Sequence, residues 1–340
     1  MHEPEFYNQT SFTANLVPLL DRSGGECRVA IIKATFAIGK SCQVRLAEKQ
    51  SPLRFGDEMW GVPAVPDVKF PADLCVFKPG TDFVLVGHAV PAEGRVMSQM
   101  DVSLDVAGRK KVLRVFGERV WQKTMFGKVT LSDPKPLCSV PLAWSRAYGG
   151  FDNSNSKHPI EEPRNPVGRG VAREKESLID DLGPQIEDPA HLISSSSDRP
   201  SPAGCAPLGR HFEPRRSFAG TYDAGWLEKV HPARPGDHHE EHENCAHPDL
   251  IFKDSLRGGE QVKLTGVTPG EMTFILPKLR ILVEAEIDGH LQEQRPHLDT
   301  VLINADRCEM ELSWRASFKC PAKMRNRFTV VRVKQKLVVG

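Results

Sequence analysis

Short stretches in which apolar and polar residues alternate constrain this fold more than any other feature of the chain. Residues 99–106 read QMDVSLDV, so apolar side chains occupy one set of alternate positions and Asp or Ser the other. Because successive side chains of a β-strand point to opposite faces, this pattern predicts a strand with one buried and one solvated face. Ala107 and Gly108 then lead into residues 111–116 (KVLRVF), which predicts the returning strand of a hairpin.

Strand-like segments occupy both ends of the chain. They are residues 27–38, 43–47 and 81–86, and then 261–266, 271–276, 280–287, 298–304, 308–316 and 327–339. Residues 84–121 and 262–314 share one order of features: strand, glycine, turn with proline, strand, turn with glycine, strand, tryptophan. This similarity arises either from an internal duplication or by chance. We predict a mainly β fold with two β-sandwich-like lobes, an N-terminal lobe at 1–150 and a C-terminal lobe at 256–340.

The middle of the chain has a different composition. Twelve of the 27 prolines lie between residues 150 and 250, together with a polar run at 194–199. Proline removes a backbone donor, so this region does not form the interior of a sheet. A disordered linker is one interpretation. Aromatic residues are spread through the region, however, so we predict an irregular proline-rich segment at 151–255 that packs on the lobes, with residues 173–182 as a candidate short helix.

Charge and cysteine content narrow the function classes. Lys and Arg number 45 and Asp and Glu 44, and a net charge near +1 provides no field to attract nucleic acid or an anionic membrane. The first thirty residues lack a basic start followed by an apolar run, and no apolar stretch is long enough to span a bilayer. The eight cysteines form no CxxC pair, which is typical of reduced, mostly buried thiols. We therefore expect a cytoplasmic protein.

No motif of a known catalytic class stands out, and the best metal-site candidate fails on spacing. Residues 237–249 (DHHEEHENCAHPD) are rich in potential ligands. An HExxH motif needs two histidines four residues apart with a glutamate after the first. His238 and His242 have the separation, but His239 follows the first of them, and the other registers fail as well. We interpret the run as a solvated loop, and we predict no metal, no cofactor and no catalytic residues.

Two further segments can be interpreted either as ligand-binding sites or as purely structural turns and caps. Residues 165–170 (NPVGRG) hold two glycines and an arginine that could cradle an anion, but a rigid turn explains them more simply. Asp223 could act as an isolated acid, but it has no partner in the sequence. We interpret it as a turn or helix-cap residue that accepts backbone donors.

Eight short motifs occur in an order that identifies a family resemblance. They are residues 8–12 (NQTSF), 33–36 (KATF), 78–82 (KPGTD) with 87–89 (GHA), 117–121 (GERVW), 141–142 (PL) with 146–150 (RAYGG), 164–170 (RNPVGRG), 220–223 (GTYD) with Trp226, and 297–300 (HLDT) with 314–316 (WRA). Together they resemble the family of proteins encoded beside type VI secretion spike, PAAR and effector genes in Gram-negative bacteria.

The resemblance implies an adaptor or chaperone and not an enzyme. Such a protein would stabilise a type VI secretion effector and help to load it on the spike, through the spike trimer protein or its PAAR-repeat tip. The alternative is a hydrolase or metal-dependent enzyme that uses the His/Glu/Asp-rich middle. A deep pocket with a tight cluster of titratable groups would favour the enzyme. A wide surface groove flanked by aromatic side chains would favour the adaptor.

The candidate binding site combines rigid backbone with large polar and aromatic side chains. Glycine and proline fix the chain in the middle segment, which lowers the entropy lost when its Tyr, Trp and Arg side chains become ordered on binding. We predict that eight residues lie together where this segment meets the lobes: Arg146, Tyr148, Arg164, Asn165, Arg169, Tyr222, Asp223 and Trp226. The alternative is that they hold the two lobes to each other.

Overall fold

Most of the regular structure is β-strand, as the alternating segments predict. The computed structural model describes residues 4–61, 66–93, 95–320 and 328–336. Its largest sheet, here the main sheet, has seven strands. In spatial order these are Ile251–Phe252, Thr81–Val86, Leu298–Asn304, Glu309–Lys319, Glu26–Ile38 and Thr13–Leu20, with Val44–Leu46 also paired to Glu26–Ile38.

The two long central strands of the main sheet show why it is buried on both faces. In Glu309–Lys319 the even positions are apolar and belong to the main hydrophobic core, whereas the odd positions carry polar and charged side chains such as Glu311 and Arg315. Glu26–Ile38 pairs with it antiparallel and places Lys33 opposite Ser313. One face of the sheet therefore packs against an apolar core, and the other holds buried charges that need partners.

Two smaller sheets cover the apolar core. The second sheet has the order Ile186–Glu187, Arg109–Phe116, Gln99–Val106, Gln261–Thr265 and Met272–Ile275. The third sheet has the order Glu5–Asn8, Phe328–Lys336, Arg280–Ile287 and His290–Gln294. Five two-stranded ribbons complete the described strands: Glu58–Met59 with Val68–Phe70, His88–Ala89 with Val140–Pro141, Trp121–Lys123 with Val129–Leu131, Tyr148–Gly149 with Arg169–Gly170, and Phe151–Asp152 with Ile160–Glu161.

The prediction of a mainly β fold is confirmed, but the prediction of two separate lobes is not. Strands from residues 1–150 and from 256–340 pair within the main sheet and again within the second sheet. Thr81–Val86, for example, runs parallel to Leu298–Asn304, and Gln99–Val106 pairs antiparallel with Gln261–Thr265. Buried side chains from all three sheets form one continuous hydrophobic cluster. The two ends of the chain therefore share their sheets and one core.

The proline-rich middle is irregular, as predicted, and contains only short helices. These are the α-helices Arg215–Phe218 and Ala224–Lys229 and the 3-10 helices Lys175–Leu178, Glu240–Glu243 and Pro248–Leu250. Outside this segment, the 3-10 helices of the described ranges are Trp144–Arg146 and Ala305–Arg307. Phe212 is fully buried in the main core, which anchors the segment to the sheets. The candidate helix at 173–182 is reduced to the single turn Lys175–Leu178.

Three smaller predictions can be compared with the structure. Five of the eight cysteines are buried, so the prediction of mostly buried thiols is confirmed. No helix in the described ranges has the length and apolar character needed to cross a bilayer. The strand predicted at 327–339 is present as Phe328–Lys336, and the rest of that prediction lies outside the described residues.

Candidate functional site

The first part of the predicted site is a tight turn built around Asn165. This side chain is fully buried, and its Nδ2 donates hydrogen bonds to the backbone oxygens of Trp144 at 2.9 Å and Tyr148 at 2.8 Å. Its own carbonyl accepts from the N–H of Gly150 at 2.9 Å. A Cβ on Gly149 would lie 2.1 Å from the Asn165 carbonyl oxygen, so only glycine allows this close approach. The residue holds two chain segments together.

Two arginines lie beside this turn. Arg146 Nη1 donates to Gln185 Oε1 at 3.0 Å, and Arg169 lies in the short parallel pairing opposite Tyr148. Burial lowers the pKa of Arg169, and the positive charge of Arg146 lowers it further, while Glu118 opposes the shift. Two like charges placed close together repel, and a carboxylate nearby reduces that cost.

Arg164 and Tyr148 complete the first part of the site. Arg164 forms a bidentate pair with Glu162, with both distances at 2.7 Å, and also donates to Ser201 Oγ at 3.0 Å. Tyr148 is buried, and burial raises the pKa of its phenol. Of these residues only Arg164 presents a charged group that is largely exposed. The first part of the predicted site thus consists mainly of side chains that hold the backbone in place.

The second part of the predicted site is a self-contained loop and helix at residues 222–233. Asp223 caps the helix Ala224–Lys229, since its Oδ1 accepts from the N–H of Trp226 at 2.7 Å. The prediction that Asp223 is a cap is therefore confirmed. The indole Nε1 of Trp226 donates to the Ala233 carbonyl at 2.8 Å, and its ring packs edge-on against Tyr222 with the centroids 4.6 Å apart. The loop is thus held in place by its own hydrogen bonds.

Tyr222 and Trp226 line a surface cleft of about 550 Å³. The opposite wall comes from the end of the hairpin strand Thr13–Leu20 and from the segments 55–57 and 72–76. A second cleft of about 740 Å³ adjoins it, since Asp21, Val76 and Arg234 line both. We refer to the two together as the double cleft.

Exposed apolar side chains surround the double cleft. Four of them line it and are strongly exposed: Leu20 at 52%, Phe55 at 60%, Phe77 at 42% and Tyr222 at 51%. Isolated exposed apolar side chains are normal, but several around one concave surface are typical of a protein-binding site. The double cleft is therefore the strongest candidate for a binding surface in the described part of the chain.

The wall of the cleft at 55–57 and 72–76 is fixed by buried ion pairs on the polar face of the main sheet. Arg54 forms a bidentate pair with Glu311, at 2.6 and 2.8 Å. Lys33 pairs with Asp73, and Arg315 Nε donates to the Asp73 carbonyl at 2.9 Å. Buried charges are tolerated when they are paired in this way. The ion pairs hold the wall segment against the sheet and so pre-organise the cleft.

Three of the four carboxylates that line the double cleft accept hydrogen bonds, namely Asp21, Asp57 and Glu243, and the fourth, Glu240, is exposed. Glu243 accepts from Arg234 at 3.1 Å and lies 3.6 Å from Arg210. Burial alone would raise the pKa of Asp21, but hydrogen bonds from Ser23 and Gly25 outweigh it and lower that pKa. Asp21 therefore stays ionised and closes the hairpin turn. Glu243 and Asp21 therefore both have structural partners.

The histidine-rich run does not form the solvated loop that its sequence predicts. His238 and His242 are buried, and their Nδ1 atoms donate to the carbonyls of Ala219 at 3.1 Å and Arg215 at 2.8 Å. Neighbouring backbone carbonyls thus replace water as hydrogen-bond partners of these rings. Across the described ranges, no group of three or more His, Cys, Asp or Glu side chains is placed to hold a metal ion.

Comparison with known proteins places the chain in a family. A family model described as an uncharacterised protein conserved in bacteria, DUF2169, matches residues 23–315. The chain belongs to the DUF2169 family. Neither a comparison with curated proteins nor one with solved structures gives a significant match.

The DUF2169 match includes most of the double cleft and both parts of the predicted site. The structure brings Arg146, Tyr148, Asn165 and Arg169 together, with Arg164 adjoining them. The residues Tyr222, Asp223 and Trp226 form a separate group, and none of the first five lines the cleft to which Tyr222 and Trp226 belong. The predicted set of eight therefore divides into a buried clamp and one side of a cleft.

Sequence reasoning missed the wall of the double cleft that lies opposite Tyr222 and Trp226. Phe55 and Phe77 lie in segments without a regular pattern, so nothing local marked them. Lys33 did provide a signal, because a lysine within an apolar strand needs a buried acidic partner. That partner is Asp73, forty residues further along the chain.

Proposed function

We propose that this protein is an adaptor or chaperone that binds a type VI secretion effector and helps to load it on the spike. The ordered motifs described above support the link to type VI secretion. The observation that carries the binding role is the double cleft, where exposed apolar side chains surround a surface whose wall is already fixed. A pre-organised surface of this kind binds with less loss of side-chain entropy.

The chemistry of the cleft favours binding over hydrolysis. Glu243 is paired with two arginines, and Asp21 is hydrogen-bonded within its own turn. A hydrolase needs a general acid or base that is free to exchange a proton with the substrate. The residues that dominate the rim, Phe55 and Tyr222, instead provide the aromatic anchors found in protein interfaces.

Phe55→Ala tests this proposal. Phe55 is 60% exposed, so its removal should leave the melting temperature nearly unchanged. At an interface hot spot it should weaken binding by about 1–4 kcal/mol. The measurement is affinity capture from the native host with the parent and variant chains, mass spectrometry to identify type VI effector, spike and PAAR proteins, and titration of the captured effector against both chains.

Phe126→Ala is the matched control. Phe126 is 98% exposed, lies in the turn between Trp121–Lys123 and Val129–Leu131, and does not line the double cleft. The Phe126→Ala variant should bind the effector with the same affinity as the parent. Equal binding by the parent and Phe55→Ala would refute the role of the cleft. If the parent chain captured none of the three protein types, the type VI assignment itself would be refuted.

A further inference from the structure

A second concave site lies in the irregular middle segment. It is a cavity of about 380 Å³, near the lower end of the roughly 300–1,000 Å³ typical of ligand sites. Its wall is largely apolar and includes Leu208, Phe218, Ala246 and Ile251. No residue lines both this cavity and the double cleft, so the two sites are separate.

The wall of the cavity also contains a buried arginine without an acidic partner. Arg215 is only 6% exposed. Its Nε donates to the His242 carbonyl at 3.0 Å and its Nη1 to the Leu208 carbonyl, while its Nη2 makes no hydrogen bond with any described residue. A buried cation that faces only carbonyl dipoles loses its hydration without gaining an opposite charge.

The other buried arginines show that this arrangement is exceptional for the chain. Arg119 pairs with Glu187, and Arg315 pairs with Asp299. These two and Arg215 are the buried arginines in the described ranges, and Arg215 alone forms no ion pair with a described residue. The fold therefore supplies a carboxylate for each buried guanidinium except the one on the cavity wall.

The remaining polar groups of the cavity also leave room for an anion. Lys253, exposed at its edge, has no ion-pair partner among the described residues. Glu241 is the acidic residue of the lining; it is exposed and forms no ion pair with either cation. Asn244 is 2% exposed, and its Oδ1 is buried without a donor. Two cations thus border an apolar space, and the buried Asn244 Oδ1 can accept only from a donor such as the peptide N–H of a ligand, not from its carboxylate.

We propose that this cavity binds the C-terminal carboxylate of a partner chain whose last residue has an apolar side chain. The carboxylate would accept hydrogen bonds from the guanidinium of Arg215, and the side chain on the same residue would fill the apolar space. An internal Asp or Glu would supply the charge but no apolar group attached to the same carbon. The inference rests on the proposed role in protein binding and specifies which part of a partner enters this cavity.

Short peptides test the inference on the unaltered protein. The probes are acetyl-Gly-Gly-Gly-Leu with a free carboxylate, the same peptide with a C-terminal carboxamide, and 4-methylpentanoate, which carries only the leucine-like chain and its carboxylate. Titration calorimetry should show binding of the free-acid peptide, with the carboxamide weaker by at least about tenfold through loss of a charge-assisted hydrogen bond. The 4-methylpentanoate should bind more weakly than the free-acid peptide.

Two variants locate the effect. Arg215→Gln should abolish the preference for the free acid over the carboxamide. Arg216→Gln should retain it, because Arg216 is the adjacent residue but is exposed and paired with Glu161 and Glu213 on the outer surface. If Arg215→Gln failed to fold, the comparison of the free-acid and carboxamide peptides on the parent protein would still test whether the carboxylate is recognised.

Three outcomes would overturn the inference. Equal binding of the free acid and the carboxamide would exclude carboxylate recognition. Binding of 4-methylpentanoate as tight as that of the peptide would identify a site for small carboxylates instead of chain ends. No binding of any probe would exclude the site altogether. None of these results depends on effector capture, so they leave the proposed function to its own test.

Discussion

Replacing Asn165 by alanine distinguishes a structural clamp from a binding site. The change removes two hydrogen bonds from a fully buried side chain, each worth about 1 kcal/mol net. The Trp144 carbonyl keeps another donor, the N–H of Ala147 at 3.0 Å. The Tyr148 carbonyl loses its side-chain donor, and an unsatisfied buried acceptor costs a further 1–3 kcal/mol or so. We therefore expect a loss of about 3–5 kcal/mol in the free energy of unfolding.

Urea unfolding followed by tryptophan fluorescence measures this loss as a lower midpoint at an unchanged slope. Asn153→Ala is the control, because Asn153 is exposed on the same segment and its removal should change stability by less than about 0.5 kcal/mol. If Asn165→Ala unfolded at the same urea concentration as the parent, the clamp would be refuted. If it also lost effector binding at that unchanged stability, Asn165 would belong to a binding site.

Two further predictions concern the dependence of stability on pH and on buried charge. Burial, together with the nearby charge of Lys111, lowers the pKa of His247 from 6.5 to about 4, so the unfolded chain binds this proton first as the pH falls. The free energy of unfolding should therefore drop by up to about 3 kcal/mol between pH 6.5 and 4. In urea unfolding at several pH values, His247→Gln should show a smaller drop than the parent over this range. An equal drop in the parent and the variant would contradict the prediction. Burial raises the pKa of Glu311, but Arg54 and Lys33 outweigh this and lower it, so its stabilisation is present above pH 4.5 and is lost as the pH falls through the folded value. Glu311→Gln should cost about 3–5 kcal/mol at neutral pH because it removes the bidentate partner of the largely buried Arg54, and a variant within 1 kcal/mol or so of the parent would refute the ion-pair argument.

Local patterns in the sequence predicted local structure well. The alternation in residues 99–106 predicted a strand because the period of two is a property of the strand itself, and Gln99–Val106 is observed. Asp223 was predicted as a cap for the same reason, since its acceptor and the Trp226 N–H are three residues apart. Such features depend on a few neighbouring residues, so the sequence contains all the information that they need.

Long-range pairing could not be predicted in the same way. Arg54 and Glu311 are 257 residues apart, and nothing in either segment specifies the other. The interleaving of strands from both ends of the chain is a similar case, because Thr81–Val86 would pair equally well with many apolar strands. The two-lobe prediction was not confirmed for this reason. The buried clamp and the cleft were predicted as one site because both combine rigid glycine- and proline-containing backbone with large side chains, and this shared composition does not specify closeness in space.

The edge of the main sheet indicates how a partner would engage the double cleft. The hydrogen bond from the Asp21 N–H to the Gly25 carbonyl, at 2.8 Å, makes these two a hydrogen-bonded pair in the hairpin. Since such pairs alternate along an antiparallel ladder, the backbone groups of Ala14, Leu16, Pro18 and Leu20 face outward.

Two of these four outward positions cannot donate to an added strand. The N–H of Leu16 is already used by the Asn15 side chain at 2.8 Å, and Pro18 has no N–H. Proteins use such devices to prevent pairing at an exposed edge. In the proposed role, an effector segment would therefore bind through side chains packed against Phe55, Tyr222 and their neighbours. Recognition would depend on the apolar character of that segment more than on its capacity to extend the sheet.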